Sequence, residues 1–381
     1  SFGGCTAFST GGRFCRISRI CASNLVGAIR VRARGCAESV ASHTGQAGAA
    51  PEPALGAREQ FASEYELGKE LGAGSFGIVM ATRERSSQSM GAVKVVDLGE
   101  DQGQKRQLAM QEVEVWRAVG RHPSVAELRR VFCDRRVVFL VMERCGCTVS
   151  EKADSNPELL LSGLPHLLHQ MLLGLEACHR ASVVHRDVKP DSYRIGLDGS
   201  TVKLCDFSLA ALLSPGQSLV GEFGTAPFMS PEMLTARHGI GTDVWSYGVM
   251  AYLMLFGELP YVPERSTSRA AMAATRAGAP PPRFLDAVPQ GQADDGMSLC
   301  RDLLQREPSQ RCSARDALGH SYFTAVSDAG RGPAVTDTPV TLRVDMLESE
   351  YDILESDSEE RALKELGDSE ASELYGLSTS A

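Results

Sequence analysis

Apolar residues fall into runs with two different periods along the middle of the chain. Residues 137–142 form a continuous apolar run, which is typical of a buried strand. Between residues 107 and 119 the apolar positions instead recur near helical spacing, and this pattern predicts an amphipathic helix. Residues 244–256 are nearly all apolar, but 13 residues are too few to cross a bilayer. This last run therefore predicts a buried core helix, and we expect no membrane anchor.

Composition divides the chain into three parts. Residues 1–37 contain six arginines and no Asp or Glu, which resembles an organelle transit sequence, and the alternative is a plain disordered leader. Residues 45–57 are rich in Ala, Gly and Pro and predict a linker. We therefore expect a leader over 1–57, a folded domain over 58–324 and a tail over 325–381.

The tail carries most of the net charge. Residues 345–381 hold twelve acidic residues against two basic ones, a net charge of −10 in a chain whose total is −9. Such a stretch is typical of a disordered, solvated segment, and it argues against nucleic-acid binding. Leu347, Tyr351 and Leu354 share one helical face within it, so docking of the tail on the folded domain is a second hypothesis.

Eleven cysteines show no Cys-x-x-Cys pairs of the kind that bind zinc, and we expect reduced thiols. At 381 residues with 43% hydrophobic content, the chain can bury one large two-lobed core or two ordinary domains.

A glycine-rich pattern precedes the helix and strand described above. It has the form Gly-x-Gly-x-x-Gly-x-Val and is made by Gly72, Gly74, Gly77 and Val79. Glycines at this spacing let a turn lie close over phosphates, but they also occur in ordinary hairpins and dinucleotide loops. Ala92 and Lys94 follow on an apolar, β-branched run rather than on a helix, so the strand-turn-helix context of a dinucleotide loop is missing.

Two carboxylates and a lysine follow at a spacing that suits phosphoryl transfer. Residues 185–190 read His-Arg-Asp-Val-Lys-Pro, and Asp206-Phe207-Ser208 begins 19 residues after Asp187. Phosphoryl transfer needs a proton acceptor, a charge clamp and metal ligands, and these residue types supply them.

Further motifs come in a fixed order downstream: Gly-Thr-x-x-Phe-x-Ser-Pro-Glu at 224–232, Asp-Val-Trp-Ser-Tyr-Gly at 243–248, and Arg311. Seven motifs in this order over about 260 residues resemble the protein kinase family, closest in appearance to calmodulin- and calcium-dependent-type kinases.

The resemblance implies an α+β, protein-kinase-like two-lobed fold, with a small β-rich N-lobe at about 65–142 and a larger helical C-lobe at about 146–324. It further implies that ATP and Mg²⁺ are bound in the cleft and that protein Ser/Thr hydroxyls are the substrates. Lys189 together with Thr225 resembles the serine/threonine class. We expect an intracellular protein, cytoplasmic unless residues 1–37 target an organelle.

The same resemblance assigns roles to individual residues. Asp187 would orient the substrate hydroxyl, Lys189 would neutralise the transferring phosphoryl group, and Lys94 would pair with Glu112, chosen over Glu114. The residues expected to contact ATP are Gly72, Gly74, Gly77, Val79, Ala92, Lys94, Glu143 and Cys145. The residues expected to hold magnesium are Asp206 and Ser192. Glu232 and Arg311 would form a buried ion pair.

Three features depart from the family pattern or bear on activity. Ser192 replaces the family Asn and is a shorter, weaker metal ligand, and Ser208 replaces the Gly of Asp-Phe-Gly. The alternative function is therefore a weakly active or inactive pseudokinase that binds ATP or a partner. In the activation segment, which we define as residues 206–232, Glu222 is a candidate permanent anion for Arg186, and a solvated Glu222 is the alternative.

Overall fold

A computed structural model describes residues 56–74, 77–99, 102–156, 163–235, 237–263, 265, 267–279, 281–282 and 292–324. The predicted leader up to residue 55, its transit sequence and the acidic tail lie outside these residues. The described residues form two compact units. One unit comprises residues up to 105 together with 130–141, and the other comprises 106–129 and the described residues from 142 onwards.

The first unit is built on a five-stranded sheet with the order β1-β2-β3-β5-β4. Its elements are α1 (Ala57–Glu64), β1 (Tyr65–Gly74), β2 (Gly77–Glu84), β3 (Met90–Asp97), β4 (Leu128–Cys133) and β5 (Val137–Glu143). β2 pairs antiparallel with both β1 and β3. β5 begins where the apolar run begins and ends one residue beyond it, at Glu143, and Val137 through Val141 are fully buried in it.

Aromatic rings form the core of this unit. Phe61 on α1 stacks on Phe139 of β5 with ring centroids 4.6 Å apart, and it also contacts Tyr65 and Phe132. The amide of Ala57 donates to Asp134 at 3.1 Å, which satisfies one of the free N–H groups at the start of α1. Sequence reasoning missed α1, whose structure depends on this core.

The second unit is mostly helical. Its elements are α2 (Gln102–Val119), which begins in the first unit, β6 (Cys145–Thr148), α3 (Val149–Ser155), α4 (Leu164–Arg180), β7 (Val183–Val184), β8 (Tyr193–Gly196), β9 (Val202–Leu204), β10 (Ala211–Leu212), β11 (Leu219–Val220), β12 (Arg237–His238), α5 (Gly241–Phe256), α6 (Ser268–Ala277), α7 (Gln292–Leu303) and α8 (Ala314–Leu318). The small sheets are β6-β8-β9 and the pairs β7–β10 and β11–β12.

α5 is the central helix of this unit. Every residue from Thr242 to Phe256 is buried, and Tyr247 donates its hydroxyl to the carbonyl of Leu168 on α4 at 2.8 Å. The helix ends at Gly257, whose left-handed φ of 73° lets its N–H close on Leu253. The buried helix predicted over 244–256 and the helix predicted over 107–119 are both confirmed. Within the described part of the chain, no helix combines the length and apolarity needed to cross a membrane.

Candidate active site

The loop between β7 and β8 is anchored by a buried carboxylate. Asp243, at the start of α5, is fully buried and accepts the backbone N–H groups of His185 at 2.7 Å and Arg186 at 2.8 Å. Its carboxylate also lies 3.0 Å from Nε2 of His179. Burial alone would raise the pKa of Asp243, but the hydrogen bonds and charges of His179 and His185 outweigh it and hold the pKa below its usual value. The Asp243 carboxylate therefore anchors the loop that carries Asp187.

Asp187 is held in place by Thr225 and Lys189. Its Oδ1 accepts the backbone N–H of Thr225 at 3.0 Å and the Thr225 hydroxyl at 2.8 Å. Lys189 Nζ lies 3.2 Å from the other carboxylate oxygen and donates to Thr225 Oγ1 at 2.8 Å. These three side chains, separated by up to 38 residues in sequence, form one connected group in the second unit.

The hydroxyl of Ser192 braces the same loop. It is buried and donates to the backbone carbonyl of Asp187 at 2.6 Å. The hydroxyl proton is thus engaged in a hydrogen bond within the loop. A metal ion would bind the hydroxyl oxygen through its lone pairs.

Asp206 and Phe207 are positioned by strain and by ring packing. Asp206 has a left-handed φ of 62°, which is uncommon for a residue with a side chain and is typical of functional sites. Phe207 is fully buried against Trp116 of α2, at 5.2 Å between centroids, and against His185 at 5.4 Å. The described residues with positive φ do not include Ser208, so its Cβ causes no left-handed strain in this turn.

Asp206 and Ser192 are the residues predicted from the sequence to hold magnesium. No set of three or more His, Cys, Asp and Glu side chains is gathered for a metal in the described ranges. Asp206 and Ser192 instead offer one carboxylate and one hydroxyl. Magnesium at nucleotide sites commonly takes one or two protein ligands, with phosphates and waters completing the octahedron, so this small set fits it.

The predicted nucleotide-binding residues of the first unit lie on three paired strands. In β1 and β2, Gly72 pairs with Val79 and Gly74 with Gly77. Gly77 has φ of 145°, and a Cβ there would lie 2.5 Å from the carbonyl of Val95, so only glycine fits. Among the described residues, apart from its chain neighbours, no heavy atom lies within 4 Å of a Cβ built at Gly72.

Lys94 and Ala92 lie on β3 opposite this hairpin. Val79 pairs with Lys94, and Ala92 is buried beside it. Lys94 is itself only 8% exposed, and a buried ammonium requires a charged or polar partner.

Glu112 lies on α2 and is 4% exposed, whereas Glu114 is exposed. The burial of Glu112 agrees with the choice of Glu112 over Glu114 as the acid for Lys94. The pairing itself stays a prediction.

Glu143 and Cys145, predicted to contact adenine, make contacts within the second unit. The backbone N–H of Glu143 donates to the carbonyl of Glu127 at 2.8 Å, and its carboxylate pairs with Lys203 at 3.0 Å. The thiol of Cys205 hydrogen-bonds to Cys145, and this bond is the main cause that lowers the pKa of Cys145. Both side chains therefore have protein partners, and a role in adenine binding would fall to their backbone.

A buried ion pair closes the far end of the activation segment. The carboxylate of Glu232 accepts both terminal nitrogens of Arg311, at 2.6 and 3.1 Å. The same guanidinium donates to the carbonyls of Gly241 and Gln305, so the buried charge is well satisfied. The Glu232–Arg311 pair predicted from the sequence is confirmed.

The arginine before Asp187 meets an aromatic ring. Arg186 is buried, with its guanidinium carbon 4.0 Å from the ring centroid of Phe223. Glu222 pairs with Arg276 of α6 at 2.6 Å. The prediction that Glu222 supplies an anion to Arg186 is therefore wrong, because its carboxylate is directed to Arg276 on α6, 54 residues later in the chain.

His238 lies on β12, which pairs with β11 of the activation segment. It pairs with Leu219 across β11 and β12 and is buried, and among the described residues neither ring nitrogen has a hydrogen-bond partner. Burial and then the charge of Arg186 lower the pKa of His238 to about 4, against the opposite influence of Asp243 and Glu232.

Several of these roles were not assigned from the sequence. Asp243 and Thr225 lie in motifs that are visible in the sequence, but their neighbours in the chain do not show that Asp243 anchors the loop and that Thr225 holds Asp187. His179 and Phe223 had no signal at all. A buried Asp at the start of an apolar helix is itself unusual, and that signal could have singled out Asp243.

Comparison with known proteins gives consistent matches. The family model described as "Protein kinase domain" matches residues 65–323. Calcium-dependent protein kinase 4 of Arabidopsis thaliana is 31% identical over 296 residues, covering 71% of this chain and 55% of that protein. Cyclin-dependent kinase-like 4 of Mus musculus is 32% identical over 206 residues, covering 53% and 59% respectively. Calcium-dependent protein kinase 34 of Arabidopsis thaliana is 27% identical over 306 residues, covering 74% and 54%.

The chain spans little more than half the length of these relatives. The resemblance and the α+β, two-lobed fold class predicted from the sequence are confirmed.

Proposed function

Since the chain belongs to the protein kinase family, we propose that it transfers the γ-phosphate of ATP to serine and threonine hydroxyls of proteins. The observation that carries the proposal is the group of Asp187, Lys189 and Thr225, in which a buried carboxylate, an ammonium and a hydroxyl contact one another. The carboxylate is ready to accept a hydrogen bond from a substrate hydroxyl, and the ammonium lies beside it.

Each residue in this group has a distinct task in the proposed reaction. Asp187 orients the substrate hydroxyl and takes up its proton as the oxygen attacks the γ-phosphorus, whose bond to the bridging β-phosphate oxygen breaks so that ADP leaves. Lys189 stabilises negative charge on the transferring group, since a preorganised ammonium needs no reorganisation when that charge develops. Thr225 fixes both side chains at once, so the geometry of attack is set before substrate arrives.

Asp206 would hold magnesium through its carboxylate, and Ser192 would contribute its hydroxyl oxygen. When bound, the metal neutralises phosphate charge. Lys94 would contact the α- and β-phosphates and Glu112 would orient Lys94, while the glycine hairpin would cover the phosphates with its backbone. These assignments follow the family resemblance.

The choice of serine and threonine follows from Lys189 and Thr225. Their 2.8 Å hydrogen bond holds the ammonium next to the Asp187 carboxylate, and this contact supports the serine/threonine class that the resemblance implies. The names of the calcium-dependent protein kinases that match the chain agree with protein phosphorylation but do not specify this chain's substrates.

A second candidate is a pseudokinase that binds ATP or a partner without transfer. The observation that favours it is Ser192, whose hydroxyl is engaged with the carbonyl of Asp187 and whose short side chain is a weaker metal ligand than the family Asn.

Transfer from radiolabelled ATP to a library of peptides tests the proposal. We expect phosphate on Ser and Thr peptides, none on Tyr peptides, and loss of transfer in Lys94→Met. ATP binding, followed as a rise in melting temperature, serves as the parallel readout. Binding without transfer by the wild type would favour the pseudokinase, and transfer to tyrosine would contradict the residue specificity.

A further inference from the structure

Phe223 is the first of three consecutive residues of the activation segment that contact the loop between β7 and β8. Its ring packs on the guanidinium of Arg186 at 4.0 Å. The next residue, Gly224, lies against the carbonyl of Arg186, and the one after it, Thr225, donates twice to Asp187. The ring is therefore only two residues from the hydrogen bonds that hold Asp187.

Two glycines with positive φ, Gly221 and Gly224, allow the backbone around Phe223 to make this contact. Gly221 has φ of 103°, and a Cβ there would lie 2.7 Å from the Phe223 ring. Gly224 has φ of 94°, and a Cβ there would lie 2.3 Å from the carbonyl of Arg186 and 3.2 Å from Asp187 Oδ1. Both glycines are required, because a side chain at either position would push the ring or the segment away from the loop.

Arg186 is fixed so that it presents its guanidinium to the ring. Its backbone has a left-handed φ of 67°, its N–H is held by Asp243, and its Nε donates to the carbonyl of Leu209 at 2.5 Å. A buried guanidinium is stabilised by the negative face of an aromatic ring, and this attraction grows as water is excluded.

The residue before Phe223 is held separately. Glu222 pairs with Arg276, and both side chains are nearly half exposed, so this contact is a surface ion pair and contributes little. The contacts that join the segment to the loop are therefore the Phe223 ring on Arg186 and the Thr225 hydrogen bonds to Asp187, not this ion pair.

We propose that Phe223 is a positioning residue, whose stacking on Arg186 keeps Thr225 on Asp187 and so supports phosphoryl transfer without a phosphate on the activation segment. The inference rests on the proposed kinase function. In it, the aromatic face stabilises the buried guanidinium of Arg186 and links the segment to the loop.

Rates and amide exchange in the full chain test this inference. We expect Phe223→Ala to lower kcat roughly tenfold to thirtyfold with little change in KM for ATP, because the ring acts on Asp187 through Thr225. Phe223→Tyr keeps the ring and should restore most of the rate, whereas Phe223→Leu keeps only the apolar bulk and should not. Glu222→Gln is the matched neighbouring control and should retain the wild-type kcat. Phosphatase treatment of the wild type should leave kcat unchanged.

Hydrogen exchange at the Thr225 amide gives a readout that needs no activity. Exchange should be about tenfold faster in Phe223→Ala than in the wild type and unchanged in Glu222→Gln. An active wild type with unchanged kcat and exchange in Phe223→Ala, or one silenced by phosphatase, overturns the role of Phe223. An inactive wild type overturns the proposed function instead, and the exchange rates then decide whether the ring still positions Thr225. A variant that fails to fold is replaced by Phe223→Leu, for which the same outcomes apply.

Discussion

The hydroxyl of Thr225 is the most direct point at which to perturb the site without removing a charge. Thr225→Val keeps the branched shape and suits the extended backbone at this position, with φ of −94° and ψ of 120°. The substitution removes two 2.8 Å hydrogen bonds of the hydroxyl, the one that it donates to Asp187 and the one that it accepts from Lys189. The backbone N–H of residue 225 still donates to Asp187 at 3.0 Å. A hydrogen bond to a charged group contributes about 1.5 to 3 kcal/mol, so kcat should fall roughly tenfold to a hundredfold.

Initial rates with a Ser-containing peptide, measured over a range of ATP concentrations, separate the effects. KM for ATP should change less than about twofold, because the lost contacts orient Asp187 and Lys189 and do not hold the nucleotide base. Thr225→Ser retains the hydroxyl and should keep kcat within a few-fold of wild type. Equal rates for the Val and Ser variants would refute the reasoning that the hydroxyl positions the carboxylate.

Three further perturbations follow from the geometry. Asp243→Asn places an amide NH₂ against backbone donors and should reduce the free energy of unfolding by about 3 kcal/mol, measured by urea titration, whereas an unchanged stability would show that the carboxylate does not anchor the loop. His238 has its pKa lowered to about 4, so its contribution to stability is complete above the unfolded value near 6.5 and is lost as pH falls towards 4. Between pH 7 and pH 5 the wild type should therefore lose about 2 kcal/mol more stability than His238→Leu, and parallel pH profiles would contradict the assignment. Ser192→Asn offers a longer amide ligand and should lower the magnesium concentration for half-maximal activity roughly fivefold to thirtyfold, while a slower enzyme with a higher requirement would mark Ser192 as an adapted ligand.

The elements that sequence could predict are those with a strong local period. β5 is apolar from Val137 to Met142 and is recovered to within one residue, and α5 is recovered because its apolar run is too long for a strand. The first five residues of α2, 102–106, were missed because they are polar and carry no helical period. α1 was missed because its burial depends on Phe61 meeting β5, a contact between distant positions.

The residues that would carry the chemistry were predictable from their types and spacing. The residues that hold them in place were not. Asp187, Lys189 and Asp206 are visible as a spaced motif, but Asp243 acts on the loop across 57 residues and Thr225 acts on Asp187 across 38. Glu222 illustrates the limit of prediction from sequence. Its position suggested an ion pair with Arg186, but in the fold it pairs with Arg276. Ser208 has no left-handed φ in the folded turn, so its Cβ adds no strain of that kind, and the effect of Ser208 on activity stays a prediction.

A comparison of two proteins shows whether Asp187 carries phosphoryl transfer. The rate of γ-phosphate transfer and the thermal unfolding curve should be measured side by side for the wild type and Asp187→Asn. We expect the folded variant to melt close to the wild type and to lose more than a hundredfold in kcat, which corresponds to about 3 kcal/mol of transition-state stabilisation. Near wild-type turnover by a folded Asp187→Asn would contradict the account.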